Sequence, residues 1–114
     1  MPATLPKEER LSGKTAIATL VSKGHWSAGT HVKYCVYKGN GLDYNRILVS
    51  VPKKYFKRAV RRNLLKRRLR ESYRTQKDLL TATGTDIMFV WSSPEISPFG
   101  TIKAEMAEIL SSVK

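Results

Sequence analysis

Hydrophobic positions recur along this chain in two rhythms, one helical and one of strands, and each predicts its own elements. Ile17, Leu20 and Val21 follow one another at helical spacing behind Ser12, which sits where an N-cap belongs. Thr15 stands three residues on, in place of the Glu of a full capping box, and Gly24 is a natural stop. Residues 12–23 are therefore predicted to form a short amphipathic helix. Residues 31–38 alternate instead. Val32, Tyr34 and Val36 fall on one side and Lys33, Cys35 and Tyr37 on the other, the period-two mark of a strand. Gly39-Asn40-Gly41 tolerates the positive φ of a hairpin turn, and a second strand runs from Arg46 to Val51 with Ile47, Val49 and Val51 pointing one way. Pro52 ends it, because proline has no N–H to give a ladder.

Neither Pro nor Gly occurs between Phe56 and Leu80, and this stretch is predicted to be one helix. Its Leu65, Leu69, Tyr73, Gln76 and Leu80 share the side that packs on the sheet. Thr83-Gly84-Thr85 breaks it, and Asp86 to Trp91 is a short, nearly all-apolar run of the kind buried on both faces. Ser92 to Pro98 reads as a loop. Ile102, Met106, Ile109, Leu110 and Val113 then mark a last amphipathic helix, with Glu105 and Glu108 on its wet side. The order is α-β-β-α-β-α, with room for a further strand in the meander near residues 40–52. At 114 residues the chain is a single domain, residues 1–114, in which Pro2 and Pro6 keep residues 1–10 extended as a loose, flexible polar arm.

Charge changes the picture from fold to function. Twenty-one Lys and Arg stand against nine Asp and Glu, a net +12. Residues 53–74 hold eleven of the basic residues and one acid, Glu71, so nearly the whole excess sits on one element. At about 100° per residue, Asn63, Lys66, Arg67, Arg70 and Arg74 fall in one row on an arc roughly 100° wide. Such a row suits phosphates, to which each guanidinium can give two charge-assisted hydrogen bonds. Like charges at Lys57–Arg61, Arg58–Arg62 and Arg70–Arg74 each cost a bare helix roughly 0.2–0.5 kcal/mol, a burden that external anions relieve. A membrane-surface helix fits less well, because the narrow apolar side is needed for the core.

Hydrolytic chemistry finds few carriers. His25 and His31 have no Cys or carboxylate at metal-ligand spacing, and Asp43, Asp86 and Glu95 are scattered. No Gly-rich phosphate loop and no G-x-S-x-G turn occurs. Cys35, the one cysteine, has no internal disulfide partner and reads as a small strand residue. Tyr37 and Lys33 on one strand face, with Trp26 just before it, are candidates for stacking and tracking single-stranded RNA; core packing explains Tyr34 at least as well, and capping the sheet is the other role for Trp26. No run of eighteen apolar residues is present to span a membrane, and the first ten residues lack the apolar run of an export signal, so a cytoplasmic protein is expected.

Residues 51–74, Val-Pro-Lys-Lys-Tyr-Phe-Lys-Arg-Ala-Val-Arg-Arg-Asn-Leu-Leu-Lys-Arg-Arg-Leu-Arg-Glu-Ser-Tyr-Arg, resemble the bacterial ribonuclease P protein component. That family has a lysine pair after a strand, then Ala-Val or similar, then Arg-Asn-Arg-x-x-Lys-Arg-type spacing and a later Arg. Lys53, Lys54, Ala59, Val60, Arg62, Asn63, Lys66, Arg67 and Arg70 match it. Leu64 departs, standing where the family often has its second Arg, so contacts made there fall to neighbours such as Arg61 or Arg68. Arg10-Leu11, the short helix and Gly24 keep the family's spacing, while Ile17 and Val21 occupy two helix positions that are commonly Phe. These keep an apolar wall but give up stacking. The Gly-Leu-Asp-Tyr-Asn-Arg turn, the Asp86-Ile87 strand and the final helix also fit, so nearly the whole chain is covered.

The resemblance implies an α+β fold: a two-layer α/β sandwich with a central, mostly antiparallel four-stranded sheet, ribosomal protein S5 domain 2-like, and a left-handed β-α-β crossover carrying the basic helix. It implies the protein subunit of a ribonucleoprotein endonuclease that removes the 5′ leader of precursor tRNA. Catalysis would belong to the RNA subunit with Mg²⁺, and the protein alone would carry no catalytic residue, metal ligand or small-molecule cofactor. Its partners would be the ribonuclease P RNA subunit and precursor tRNA. Lys53, Lys54, Arg62, Asn63, Lys66, Arg67, Arg70 and Arg74 would bind RNA. Ile17, Val21, Lys33, Cys35 and Tyr37 would line a cleft for the leader. The alternative is a general structured-RNA-binding protein, ribosomal-protein-like, with no linked reaction.

Overall fold

The computed structural model describes residues 5–113, which contain four strands and three α-helices. The strands β1 (His25–Ala28), β2 (Val32–Lys38), β3 (Arg46–Ser50) and β4 (Thr85–Trp91) form one sheet in the order β1-β2-β4-β3. The helices are α1 (Lys14–Lys23), α2 (Ala59–Arg74) and α3 (Phe99–Ser112). β1 pairs with β2 and β2 with β4 antiparallel, whereas β3 lies parallel to β4, joined to it through α2. This is the α+β, mostly antiparallel four-stranded architecture expected.

Register sorts the side chains into two faces. Val32 lies opposite Trp91, Phe89 lies between Tyr34 and Val49, and Ile87 lies between Val36 and Ile47. These residues form the main core with Leu65, Leu69 and Tyr73 of α2 and Ile102, Met106, Ile109 and Leu110 of α3. Cys35, Met88 and Leu48 share the opposite face, where Leu11 and Leu20 make a smaller cluster beneath α1. Covered on one face, partly covered on the other and paired on both edges, β4 is apolar over most of its length.

Several expectations are corrected. The turn at Gly39–Gly41 does not close a hairpin between β2 and β3, because β4 lies between them. Gly39 and Gly41 do take positive φ (79° and 84°), but the backbone N–H groups of Gly39 and Asn40 both donate to the carbonyl of Gly84. The additional strand is β1 at 25–28, not a segment of the 40–52 meander. α1 starts at Lys14 behind Gly13, and Ser12 is not its cap. The long helix is also shorter than 56–80. Arg58 is extended, α2 runs from Ala59 to Arg74, and after the break at Gln76 a separate 3₁₀ turn spans Lys77–Leu79.

Residues 1–4 of the expected flexible arm lie outside the described residues, and residues 5–10, though mostly exposed, are tied to the fold. Leu5 and Leu11 are buried, Arg10 bridges Ile47 in parallel, and the Leu11 N–H donates to the Ile47 carbonyl at 2.8 Å. Lys77 Nζ pairs with Glu9 Oε1 at 3.0 Å. The arm thus covers the free edge of β3, an edge that would otherwise present unpaired backbone groups. Glu105, expected on the wet side of the last helix, is buried. Its carboxylate accepts the backbone N–H groups of His31 (2.9 Å) and Val32 (2.8 Å) and lies 2.9 Å from His31 Nδ1, so it fastens the β1–β2 loop to α3. The His31 ring stacks on Trp91 at 5.5 Å.

Tyr73 yields a pH prediction. Burial, with Glu9 adding a smaller push, raises its phenol to about 12. An unfolded tyrosine ionises near 10, so the folded state keeps a proton that the unfolded state gives up. Stability from this group is complete below pH ~10 and is lost as pH rises towards 12, about 2–3 kcal/mol in all. Denaturation of wild type and Tyr73→Phe at pH 9 and 11 is expected to show a smaller alkaline loss in the variant; equal losses would contradict this.

Candidate nucleic-acid interface

The basic element is built from a turn and a helix. Pro52–Tyr55 forms the turn that exposes Lys53 and Lys54, with Lys54 Nζ 5.0 Å from the centre of the Tyr55 ring. Phe56 is buried and anchors the chain before α2 begins. Arg62 reaches back across this junction, its Nη1 donating to the carbonyls of Phe56 (2.7 Å) and Lys57 (2.8 Å). Arg62 is thus partly committed to holding the turn against the helix.

Along α2 the hydrophobic side goes inward, with Leu65, Leu69, Ser72 and Tyr73 buried. Asn63 and Arg67 are exposed and Lys66 and Arg70 half-buried in the neighbouring row, as the wheel predicts. Among the described residues, no ion pair or side-chain hydrogen bond engages Lys66, Arg67 or Arg70. Arg70 faces Arg10 beside a small hollow at the β3 edge, and burial first, then Arg10, lowers its pKa. Two cations facing each other with no acid between them form a site that favours an anion. Arg74 differs. It pairs with Glu71 at 2.7 Å, which lowers the Glu71 pKa and raises that of Arg74. Arg68 is turned away, Nη1 donating to the Ser97 carbonyl at 2.7 Å, so of the two neighbours expected to replace the arginine missing at Leu64 only Arg61 stands exposed.

The second predicted surface is less continuous than expected. Cys35 is fully buried, its thiol donates to the Leu20 carbonyl at 3.3 Å, and burial raises its pKa. A Cβ on Gly24 would come within 2.4 Å of the Cys35 Sγ, which measures how closely the end of α1 rests on it. Cys35 therefore cannot line an open cleft. Lys33 and Tyr37 project from the same face on either side of it, too far apart along β2 to act as one patch. Ile17 and Tyr37 pack at the rim of the small cluster under α1, and Val21, one turn on from Ile17, is 43% exposed. α1 leaves Leu48, Ser50, Met88 and Val90 half-buried and Lys33 exposed, so part of this sheet face is open. Trp26, expected beside this face either to stack RNA or to cap the sheet, is 44% exposed.

Among the described residues, no group of three or more His, Cys, Asp or Glu side chains is placed to hold a metal. The buried carboxylates are engaged: Asp86 by Arg46 and Asn40, Glu105 by His31 and Val32. Mg²⁺ wants several oxygen ligands, and this donor set does not fit it. No helix among the described residues is long and apolar enough to cross a membrane.

A family model described as Ribonuclease P matches residues 5–114. The chain is 36% identical over 119 residues to the ribonuclease P protein component of Porphyromonas gingivalis, covering 96% of this chain and 87% of that one. It is 40% identical over 87 residues to that of Petrotoga mobilis, covering 76% and 71%. Its fold superposes on the ribonuclease P protein of Thermotoga maritima with a TM-score of 0.81 at 27% identity, covering 93% and 98%. The Staphylococcus aureus protein shares the fold, with a TM-score of 0.77 at 23% identity over 90% and 92%.

Proposed function

Because the chain belongs to the ribonuclease P protein family, we propose that its two surfaces hold two RNAs, the catalytic RNA subunit on α2 and the 5′ leader of precursor tRNA on the α1 face. The chain serves as the protein component of an RNA-based endonuclease in tRNA 5′ processing. The observation that carries the proposal is the row Asn63, Lys66, Arg67 and Arg70, directed outward with its cations unengaged by the described protein groups. Lys53 and Lys54 add cations at the turn before α2, Arg61 stands exposed on another side of the helix, Arg62 braces the turn, and Arg74 contributes a charge already shared with Glu71. Ile17, Val21, Lys33 and Tyr37 offer the leader apolar contact and one cation, while Cys35 supports the sheet from below α1.

The mechanism is electrostatic and positional. Two polyanions repel at close range, and protein cations lying between them offset that repulsion while each phosphate contact releases counterions. In this reading Mg²⁺ is held by RNA oxygens, the protein adds no ligand, and the complex works in the cytoplasm. Reconstitution tests it. The purified protein alone is expected to leave precursor tRNA uncut, and addition of the RNA subunit to give leader removal at Mg²⁺ levels where RNA alone is slow. Tight binding of structured RNA with no gain in cleavage or leader affinity would leave only a general RNA-binding protein. Cleavage by the polypeptide alone would overturn the assignment of chemistry to RNA.

A further inference from the structure

The chain has two tryptophans in opposite circumstances. Trp91 is fully buried, its Nε1 donating to the Glu95 carbonyl. Trp26 is 44% exposed on β1, the outer strand of the sheet. Register places Trp26 opposite Cys35 and Ala28 opposite Lys33, so Trp26, Ala28, Cys35 and Lys33 all project from the face that α1 partly covers. The neighbours Ser27 and Ala28 are short. The indole consequently borders a shallow concavity of ≈ 360 Å³ that it shares with Ser27, Ala28 and Lys33. Lys33 is exposed and without a salt bridge among the described residues.

An exposed indole beside an unpaired ammonium is the combination that binds single-stranded RNA without reading its sequence: a base lies on the ring and the adjoining phosphate meets the cation. A chain of net +12 favours an anionic occupant over a neutral apolar one. The α1 wall at Ile17 and Val21 is aliphatic and offers no ring to stack on, and Cys35 is roofed over. We propose that Trp26 is the base-stacking residue of this face, with Lys33 taking the phosphate next to the stacked base. The proposal rests on the reading that the α1 face holds the leader. It makes Trp26 the side chain through which precursor is distinguished from mature tRNA.

Trp91 is shielded, so quenching of the protein's emission during titration with single-stranded oligouridylate reports on Trp26. Quenching is expected in wild type and should vanish in Trp26→Ala. In the reconstituted holoenzyme, Trp26→Ala is expected to weaken precursor tRNA binding about five- to a hundredfold and to leave mature tRNA binding unchanged. Trp26→Phe, which keeps a ring and guards against a folding artefact, should retain most of the affinity. If wild type prefers precursor over mature tRNA and Trp26→Ala prefers it equally, or if the emission is unquenched, the assignment to Trp26 fails while the leader site stands. If wild type shows no preference at all, the leader reading itself fails.

Discussion

Replacing Arg67 and Arg70 together with Ala is expected to weaken binding to the RNA subunit and to flatten its salt dependence. The slope of log K against log salt should fall in magnitude by about 1.4–1.8, the release of two phosphate contacts. The structure supplies matched controls on the same helix. Arg68→Ala removes the same charge, but Arg68 donates to the Ser97 carbonyl and faces away from the row. It should cost stability, about 1.5–3 kcal/mol for a charged hydrogen bond lost at a partly buried carbonyl, and leave the slope nearly unchanged. Arg74→Ala should act between these limits, because Arg74 already shares its charge with Glu71. Salt titrations of all three variants distinguish a specific ridge from diffuse attraction to a +12 protein. Diffuse attraction predicts the same slope change per charge removed at every position, and that result would contradict the assigned row.

Arg70 should dominate the pair. Its pKa is lowered by burial and by Arg10, so in the free protein it is a cation held in an uncomfortable place. A phosphate arriving there relieves the Arg10–Arg70 repulsion as well as gaining hydrogen bonds.

How far the sequence foretold this depends on whether the signal was local. Period-two alternation located β2 and β3, and the inward stripe of α2 was legible because Leu65, Leu69 and Tyr73 repeat every four residues. β1 was not legible. His-Trp-Ser-Ala has no alternation of its own, and the strand exists because β2 offers it a partner. The insertion of β4 between β2 and β3 is likewise a long-range pairing, whereas Gly39–Gly41 carries only the local signal of a turn. The arm looked loose through its prolines and charges, but Leu5 and Leu11 were the clue that it packs.

The site shows the same division. The outward row followed from helix geometry alone. Arg62 also had a legible position: it falls about 60° from Leu65, on the same side as Leu69, so it could not point outward with Arg67. Counting its charge concealed that. Arg68 and Glu105 lie at the margins of their apolar stripes, where a side chain turns inward only if a backbone group waits for it, and the Ser97 carbonyl and the His31 and Val32 N–H groups are remote in sequence. Cys35 alternates correctly with Lys33 and Tyr37, but α1 rests on one of the three and not on the others.

Replacing Arg46 with Ala is expected to cost about 3–5 kcal/mol of stability in a domain whose total is about 5–15 kcal/mol. Asp86 is 2% exposed at the start of β4, and Arg46 of β3 grips it in two places, Nε to Oδ1 at 2.9 Å and Nη2 to Oδ2 at 2.7 Å. Asn40 adds a third bond at 2.8 Å, so a single carboxylate ties β3, β4 and the turn after β2 together. Without Arg46 that carboxylate stays buried with Asn40 alone, a stranded charge in a poorly hydrated place. Arg46→Leu combined with Asp86→Leu removes both charges and should recover much of the loss, so the pair is costly to break and much less costly to lack. Because the pair is largely shielded, added salt should change the Arg46→Ala deficit little, unlike the RNA affinity governed by α2. Urea denaturation of the single and double variants at low and high salt checks all three statements. A deficit near 1 kcal/mol, or one that disappears with salt, would mean that water reaches Asp86 and that the junction of β3 with β4 is held by the apolar register of Ile47, Val49, Ile87 and Phe89.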